Sequence, residues 1–328
     1  MSVLVAGATG AIGRPLISAL VSARHNVFGM TSSKLGLQTL KEDGAEGLLA
    51  SALDAQAVDA VIKRARPEVI TDELTSLPKH YTPDEMRAAA ERDHKLRLEG
   101  GQNVLNVARA AGARRYIIQS TGFYYAPGPG LAHETDPLAL NASPAISANV
   151  RTYTLLENRT LGAEGLEGVA LRYGFFYGPG TWFRPGGDAA HQVLEQRYPS
   201  AGSGSGVWSW VHVEDAAAAT VAALECPAGV YNVVDDDPSV MSVWLPAFAA
   251  SVGAPEPQHI SEREALEQAG PDTVYYATQL RALQTQRRDE ILPLRQDGSN
   301  GSPEQKPQAG HDPGGLGLTE KAKTHQAA

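Results

Sequence analysis

The first thirteen residues constrain the fold of this chain more than any other stretch. An apolar run, Val3-Leu4-Val5-Ala6, leads straight into Gly7-Ala8-Thr9-Gly10-Ala11-Ile12-Gly13, with three glycines at three-residue spacing. A buried strand, a tight turn and the start of a helix satisfy that order. Glycines let backbone approach a ligand closely, and the free N–H groups of a helix start hold negative charge. A glycine triplet alone is a weak sign. Here a strand-like run precedes it and a helix-like run follows, so residues 7–13 read as a pyrophosphate cradle for a dinucleotide.

The first half of the chain goes on alternating strand-like and helix-like segments. That pattern implies an α/β protein of the Rossmann type, a doubly wound parallel sheet covered on both faces. Further strands are expected at 26–30, 46–50, 67–70, 115–120 and 169–173, and helices at 15–22, 54–64, 83–111, 149–161 and 216–224. Proline near the start of the long helix and Gly112 just past its end fit helix-end chemistry. Residues 126–147, rich in Pro, Gly, Ala and Asn, are expected to loop over the site.

The expected division is a nucleotide-binding domain at 1–174 and a smaller substrate lobe, interleaved with the core, at 175–283. From 284 to 328 there is no aromatic residue and no valine, so a disordered tail is expected there.

Composition narrows the function. A net charge of −9 lacks the basic face that nucleic acid requires. The lone cysteine, Cys226, leaves no internal disulfide and no cysteine-rich metal site, and it fits a reducing compartment. No stretch approaches the roughly 18 apolar residues of a membrane helix. The expectation is a cytoplasmic protein without an export leader, acting on a small molecule and using no metal. Asp235-Asp236-Asp237, before proline, reads as a solvated turn.

Several segments together resemble the extended short-chain dehydrogenase/reductase family, in its NAD-dependent epimerase/dehydratase branch. They are Thr9-Gly10-Ala11-Ile12-Gly13, Gln119-Ser120-Thr121-Gly122, the run from Leu171 to Gly180, Trp210-Val211-His212-Val213-Glu214-Asp215-Ala216, and Gly229-Val230-Tyr231-Asn232-Val233-Val234. The resemblance implies a dinucleotide bound across the carboxyl end of the sheet, with Leu74 and Thr75 after the fourth strand among its contacts. At the end of the second strand an NAD-specific protein usually places a carboxylate on the ribose. Here Thr31-Ser32-Ser33-Lys34 offers hydroxyls and a cation instead, which favours NADP(H) over NAD(H).

The family's chemistry uses a tyrosine acid, a lysine four residues later that lowers its pKa, and a Ser or Thr on the substrate oxygen. The last role maps to Thr121, with Ser120 beside it. The tyrosine position falls on Asn149 and the lysine position on Tyr153, so the dyad is missing. Candidate replacements are Tyr124 and Tyr125, after the fifth strand, and Tyr153 itself. His94 is placed near the back of a proton relay, where a histidine can titrate near neutral pH. Arg87, Arg92, Lys95 and Arg97, set among acids, read as a solvated helix face.

These features favour an NADP(H)-dependent reductase of a small or medium carbonyl or enone metabolite. The alternatives are a redox-inactive NADP(H)-binding sensor or scaffold and, third, a nucleotide-sugar epimerase or dehydratase. Family dimers pair through the helices expected at 83–111 and 149–161, so a homodimer is an open expectation. Family members continue past 280–281 with a Ser-Asn-Ala-Lys-like segment, where this chain has Ala282-Leu283-Gln284-Thr285-Gln286. Shifted-frame codons for those residues can spell Ser-Ser-Asn-Ala-Lys. A frameshifted C-terminus is therefore a hypothesis that sequencing the gene tests; codons unable to yield that segment in any frame reject it.

Overall fold

Apolar runs separated by helix-forming segments build a seven-stranded parallel sheet, in a computed structural model that describes residues 1–285. Its first six strands are β1 (Ser2–Ala6), β2 (Asn26–Thr31), β3 (Glu46–Leu49), β4 (Val69–Asp72), β5 (Arg115–Thr121) and β6 (Glu167–Tyr173). Between them run α1 (Gly13–Ser22), α2 (Lys34–Glu42), α3 (Ala55–Ala65), α4 (Pro83–Lys95), α5 (Gly101–Ala110) and α6 (Pro144–Leu161). The chain continues through β7 (Phe175–Tyr177), α7 (Asp188–Leu194), β8 (Ser200–Ala201), β9 (Val207–Trp208), β10 (Trp210–His212) and α8 (Val213–Ala222). It then returns to the sheet as β11 (Gly229–Val233), beside β6. After β12 (Ser239–Val240), helices α9 (Met241–Ser251), α10 (Glu262–Ala269) and α11 (Pro271–Thr278), with β13 (His259–Ile260), complete the second lobe.

The strand order is β11-β6-β5-β4-β1-β2-β3, which reverses direction of winding between β1 and β4. Ligands of such sheets bind at that switch, beyond the carboxyl ends of the strands. Val3, Leu4, Val5 and Ala6 are all fully buried because both faces are covered. One face packs on Leu16 and Leu20 of α1 and Ala216 and Ala219 of α8. The other packs on Val58 and Ile62 of α3, Val104 and Leu105 of α5, and Leu156 of α6.

Three elements depart from expectation. Helix α2 stands where no helix is expected. Ser33 caps it, accepting a hydrogen bond from the Gly36 N–H at 3.0 Å, and Leu40 is fully buried over the side-chain-free Gly29. Helix α6 begins at Pro144, five residues before Asn149, with Ser143 capping Ile146 N–H. The long fourth helix is interrupted by a π-helical turn, Leu96–Gly100, that separates α4 from α5.

Beyond residue 174, α8 and β11 belong to the central sheet layer rather than to the second lobe. The chain is still held at its far end, where Gln284 N–H donates to the Ala132 carbonyl at 3.0 Å. The rest of the anticipated tail, from 286 on, lies outside the described residues.

Candidate active site

The glycine loop is shaped as a cradle. Gly7 takes the left-handed conformation (φ +80°), and a Cβ there would sit 2.5 Å from the Glu73 carbonyl oxygen. Gly10 N–H closes the turn on the Gly7 carbonyl at 3.0 Å. Gly13 packs against the backbone of Gly7 and Ala8. Helix α1 has no side-chain cap and no acid in its first turn, which leaves its first N–H groups for an anion. Ala8 and Ile12 are buried supports, while Thr9, Gly10 and Ala11 are exposed. These residues fit a dinucleotide pyrophosphate.

At the end of β2 the four candidates separate. Thr31 is buried, and its hydroxyl accepts from Ser33 N–H; the Ser33 hydroxyl caps α2. Both therefore serve the local turn. Ser32 and Lys34 are exposed at the start of α2, whose first turn carries no acid. After β4, Leu74 is buried and its N–H donates to Asp72 Oδ1 at 3.1 Å, while Thr75 is half-buried beside it.

The end of β5 divides its two hydroxyls between opposite faces of the sheet, as strand alternation requires. Thr121 is buried with its Oγ1 unpartnered, a hydroxyl available to a ligand. Ser120 instead donates to Glu157 Oε1 at 2.6 Å. Glu157 forms a buried two-point ion pair with Arg172, whose Nη1 donates to the Tyr125 hydroxyl at 2.7 Å. Tyr125 donates in turn to Asn232 Oδ1. Ser120 and Tyr125 thus belong to a buried strut joining β5, β6, α6 and β11. Ser120, expected beside Thr121 on the substrate oxygen, and Tyr125, expected as a candidate acid, therefore have their hydroxyls already committed within the protein.

Tyr124 stands at the centre of another chain of bonds. Asn149 Nδ2 donates to its hydroxyl at 3.0 Å, His94 Nε2 meets Asn149 Oδ1 at 2.8 Å, and Tyr276 lies 3.2 Å beyond. His94 thus reaches the site through Asn149, the residue at the family's tyrosine position. Burial holds the Tyr124 phenol well above the ordinary range, with Tyr153 adding to the effect. Burial also raises Tyr153, with Arg97 opposing it.

Arg97 was expected on a solvated face and is instead 5% exposed. Its Nε donates to Asp93 at 2.7 Å, and its guanidinium lies 5.1 Å from the Tyr153 ring centroid. The signal was present in the spacing. Ala89, Asp93, Arg97 and Gly101 recur every four residues and continue the buried stripe of Val104, Leu105 and Ala108.

The second lobe supplies an aromatic wall. Phe123 stacks on Phe175 at 4.2 Å and Phe175 on Trp208 at 3.9 Å, followed by Trp210 at 5.4 Å. Tyr81 stacks on Trp182 at 4.7 Å. Phe123, Trp182, Trp210 and Tyr276 are only half-buried, which leaves ring surface for a flat ligand. His212 accepts from Glu214 N–H as the cap of α8, a structural role.

A model of the NAD dependent epimerase/dehydratase family matches residues 3–233. The chain belongs to that family. It is an NAD(P)-dependent oxidoreductase-type enzyme, and a 3-diazoavenalumate denitrifying reductase from a Streptomyces species is 41% identical over 261 residues, 79% of this chain and 84% of that one. Solved structures of similar fold include UDP-glucose 4-epimerase from Thermus thermophilus in complex with NAD. It is 24% identical, with a TM-score of 0.66, and the match covers 87% of this chain and 90% of that one. The dTDP-glucose 4,6-dehydratase of Streptomyces venezuelae, with NAD and TYD bound, has a TM-score of 0.69 at 19% identity, over 89% and 91% of the two chains. Among the described residues no helix is long and apolar enough to cross a membrane.

Proposed function

We propose that this chain is an NADPH-dependent reductase of the cytoplasm that delivers hydride to a flat, conjugated, strongly electron-poor acceptor. The substrate class we assign is a diazo-bearing aromatic acid. The observation that carries the reading is the replacement of the proton-donating dyad by Asn149 and Tyr153, beside phenols that burial makes weaker acids. An ordinary ketone needs a proton as hydride arrives, because an alkoxide is poorly stabilised without one. A diazonium carbon framework is already cationic and needs none. The 41% identical relative bears the name of a diazo-compound reductase, which supports the same chemistry.

The bound dinucleotide supplies hydride at its nicotinamide ring. The substrate R–N2⁺ accepts that hydride, its C–N bond breaks, N2 leaves and R–H remains, with NADP⁺ as the oxidised product. Residues of this chain hold the reactants. The half-buried rings of Phe123 and Trp210 offer stacking surface, and the orphaned Thr121 hydroxyl binds a substrate oxygen. NADPH is favoured over NADH because Ser32 and Lys34 flank a helix start without an acid.

Purified protein mixed with a carboxybenzenediazonium should consume NADPH and release N2 in equal amounts, with NADH at least tenfold less effective. Conjugated enones should react more slowly, and simple ketones barely. Brisk ketone reduction with no N2 release from any diazo acid would reject the proposal.

A further inference from the structure

The lysine position of the family is filled by Tyr153, yet a positive charge still reaches that place from another helix. Arg97, rooted in the π-helical turn, lies beneath the Tyr153 ring at 5.1 Å. It is fixed by three features. Its Nε is bonded to Asp93. Arg159 donates to the carbonyls of Arg97 and Leu98 at 2.7 and 2.8 Å, pinning the turn that carries it. Gly101, where a Cβ would come 2.5 Å from Arg159 and 2.9 Å from Asp72, lets those groups close around the turn. Arg97 also lines a small cavity together with Leu74, a neighbour of the cofactor cradle. Tyr153 above it is half-buried, and its hydroxyl makes no hydrogen bond to a described residue.

A dinucleotide whose pyrophosphate sits on the α1 start extends its nicotinamide half towards the ends of β4 and β5. That half presents ribose hydroxyls, a carboxamide and a ring that becomes cationic on oxidation. A hydroxyl backed by a cation suits the sugar oxygens and not the cationic ring. We propose that Tyr153 and Arg97 act as a pair in place of the missing lysine: the Tyr153 hydroxyl binds the ribose hydroxyls of the nicotinamide half, and Arg97, as a positioning residue, seats the ring and supplies the charge. The inference rests on the dinucleotide half of the proposed function and not on the acceptor.

Calorimetric titration with NADPH and, separately, with 2′,5′-ADP, which lacks the nicotinamide half, tests it without any substrate. NADH and ADP serve as the matching pair should the chain prefer the other cofactor. Tyr153→Phe and Arg97→Met should each weaken NADPH binding about tenfold and leave 2′,5′-ADP binding within twofold. Asp93→Asn with Arg97→Met removes both charges together and should behave like Arg97→Met, which covers the case in which an unpaired Asp93 unfolds the single variant. Adding Tyr153→Lys to Arg97→Met moves the cation back onto α6 and should restore NADPH affinity to within threefold of the parent protein. Unchanged NADPH affinity in the Arg97 variants, or equal losses for both ligands, would overturn the pairing. Failure of the diazo assay would leave these titrations unaffected.

Discussion

Glu73 carries an ionisable group at odds with its surroundings. It follows β4, is 3% exposed, and neither carboxylate oxygen has a partner. Burial, reinforced by Asp72, pushes its pKa up to about 8 from an ordinary 4.5. The folded protein therefore keeps a proton that the unfolded chain has already released, and stability falls as pH rises between those values. Melting temperature should decline from pH 5 to pH 8, and Glu73→Gln, which cannot ionise, should flatten that slope and gain about 2–3 kcal/mol at pH 7. Parallel slopes for the two proteins would show that Glu73 does not hold its proton. At this scale the place of Thr121 at the end of β5 was legible from the family-like motif that contains it. The partners of Ser120 and Tyr125 were not, since Glu157, Arg172 and Asn232 reach them from distant parts of the chain.

Among the elements, the π-helical turn is the one that a helical period could not announce. Its carbonyls at Arg97 and Leu98 are met by Arg159 of α6, some sixty positions away. Replacing Arg159 by Met removes two charge-assisted hydrogen bonds to the turn's carbonyls, at a cost of about 2–4 kcal/mol. Chemical denaturation should show that loss, and Arg159→Met should also weaken NADPH binding by loosening Arg97. A destabilised variant with unchanged NADPH affinity would separate the turn from the site. The glycine loop, β1, β5 and β6 were readable because continuous apolar runs mark strands buried on both faces. Helix α2 was missed because its short, polar sequence is fixed by the Ser33 cap and the pocket over Gly29, which only tertiary packing displays.

For the molecule as a whole, the sheet and the lobe share chain in both directions. Strand β11 and helix α8 complete the central layer, while Tyr124, which follows β5, bonds Tyr276 of the lobe. This interleaving joins the aromatic cluster of the lobe to the end of β5 through Phe123 and Tyr124, while α6 carries no lysine to tune a phenol. The class of fold was therefore legible from the order of segments, whereas the aromatic wall was not, because its rings are drawn from widely separated regions of the chain. The central claim is that hydride transfer here needs no proton from the protein. Its most direct test is the rate of nicotinamide absorbance loss in single turnovers with a carboxybenzenediazonium, followed from pH 6 to pH 8. Transfer without a proton from the protein predicts a rate that varies less than twofold across that range and differs less than twofold between the parent protein and Tyr124→Phe. A rate that falls tenfold or more in Tyr124→Phe would show that the protein supplies a proton and would contradict it.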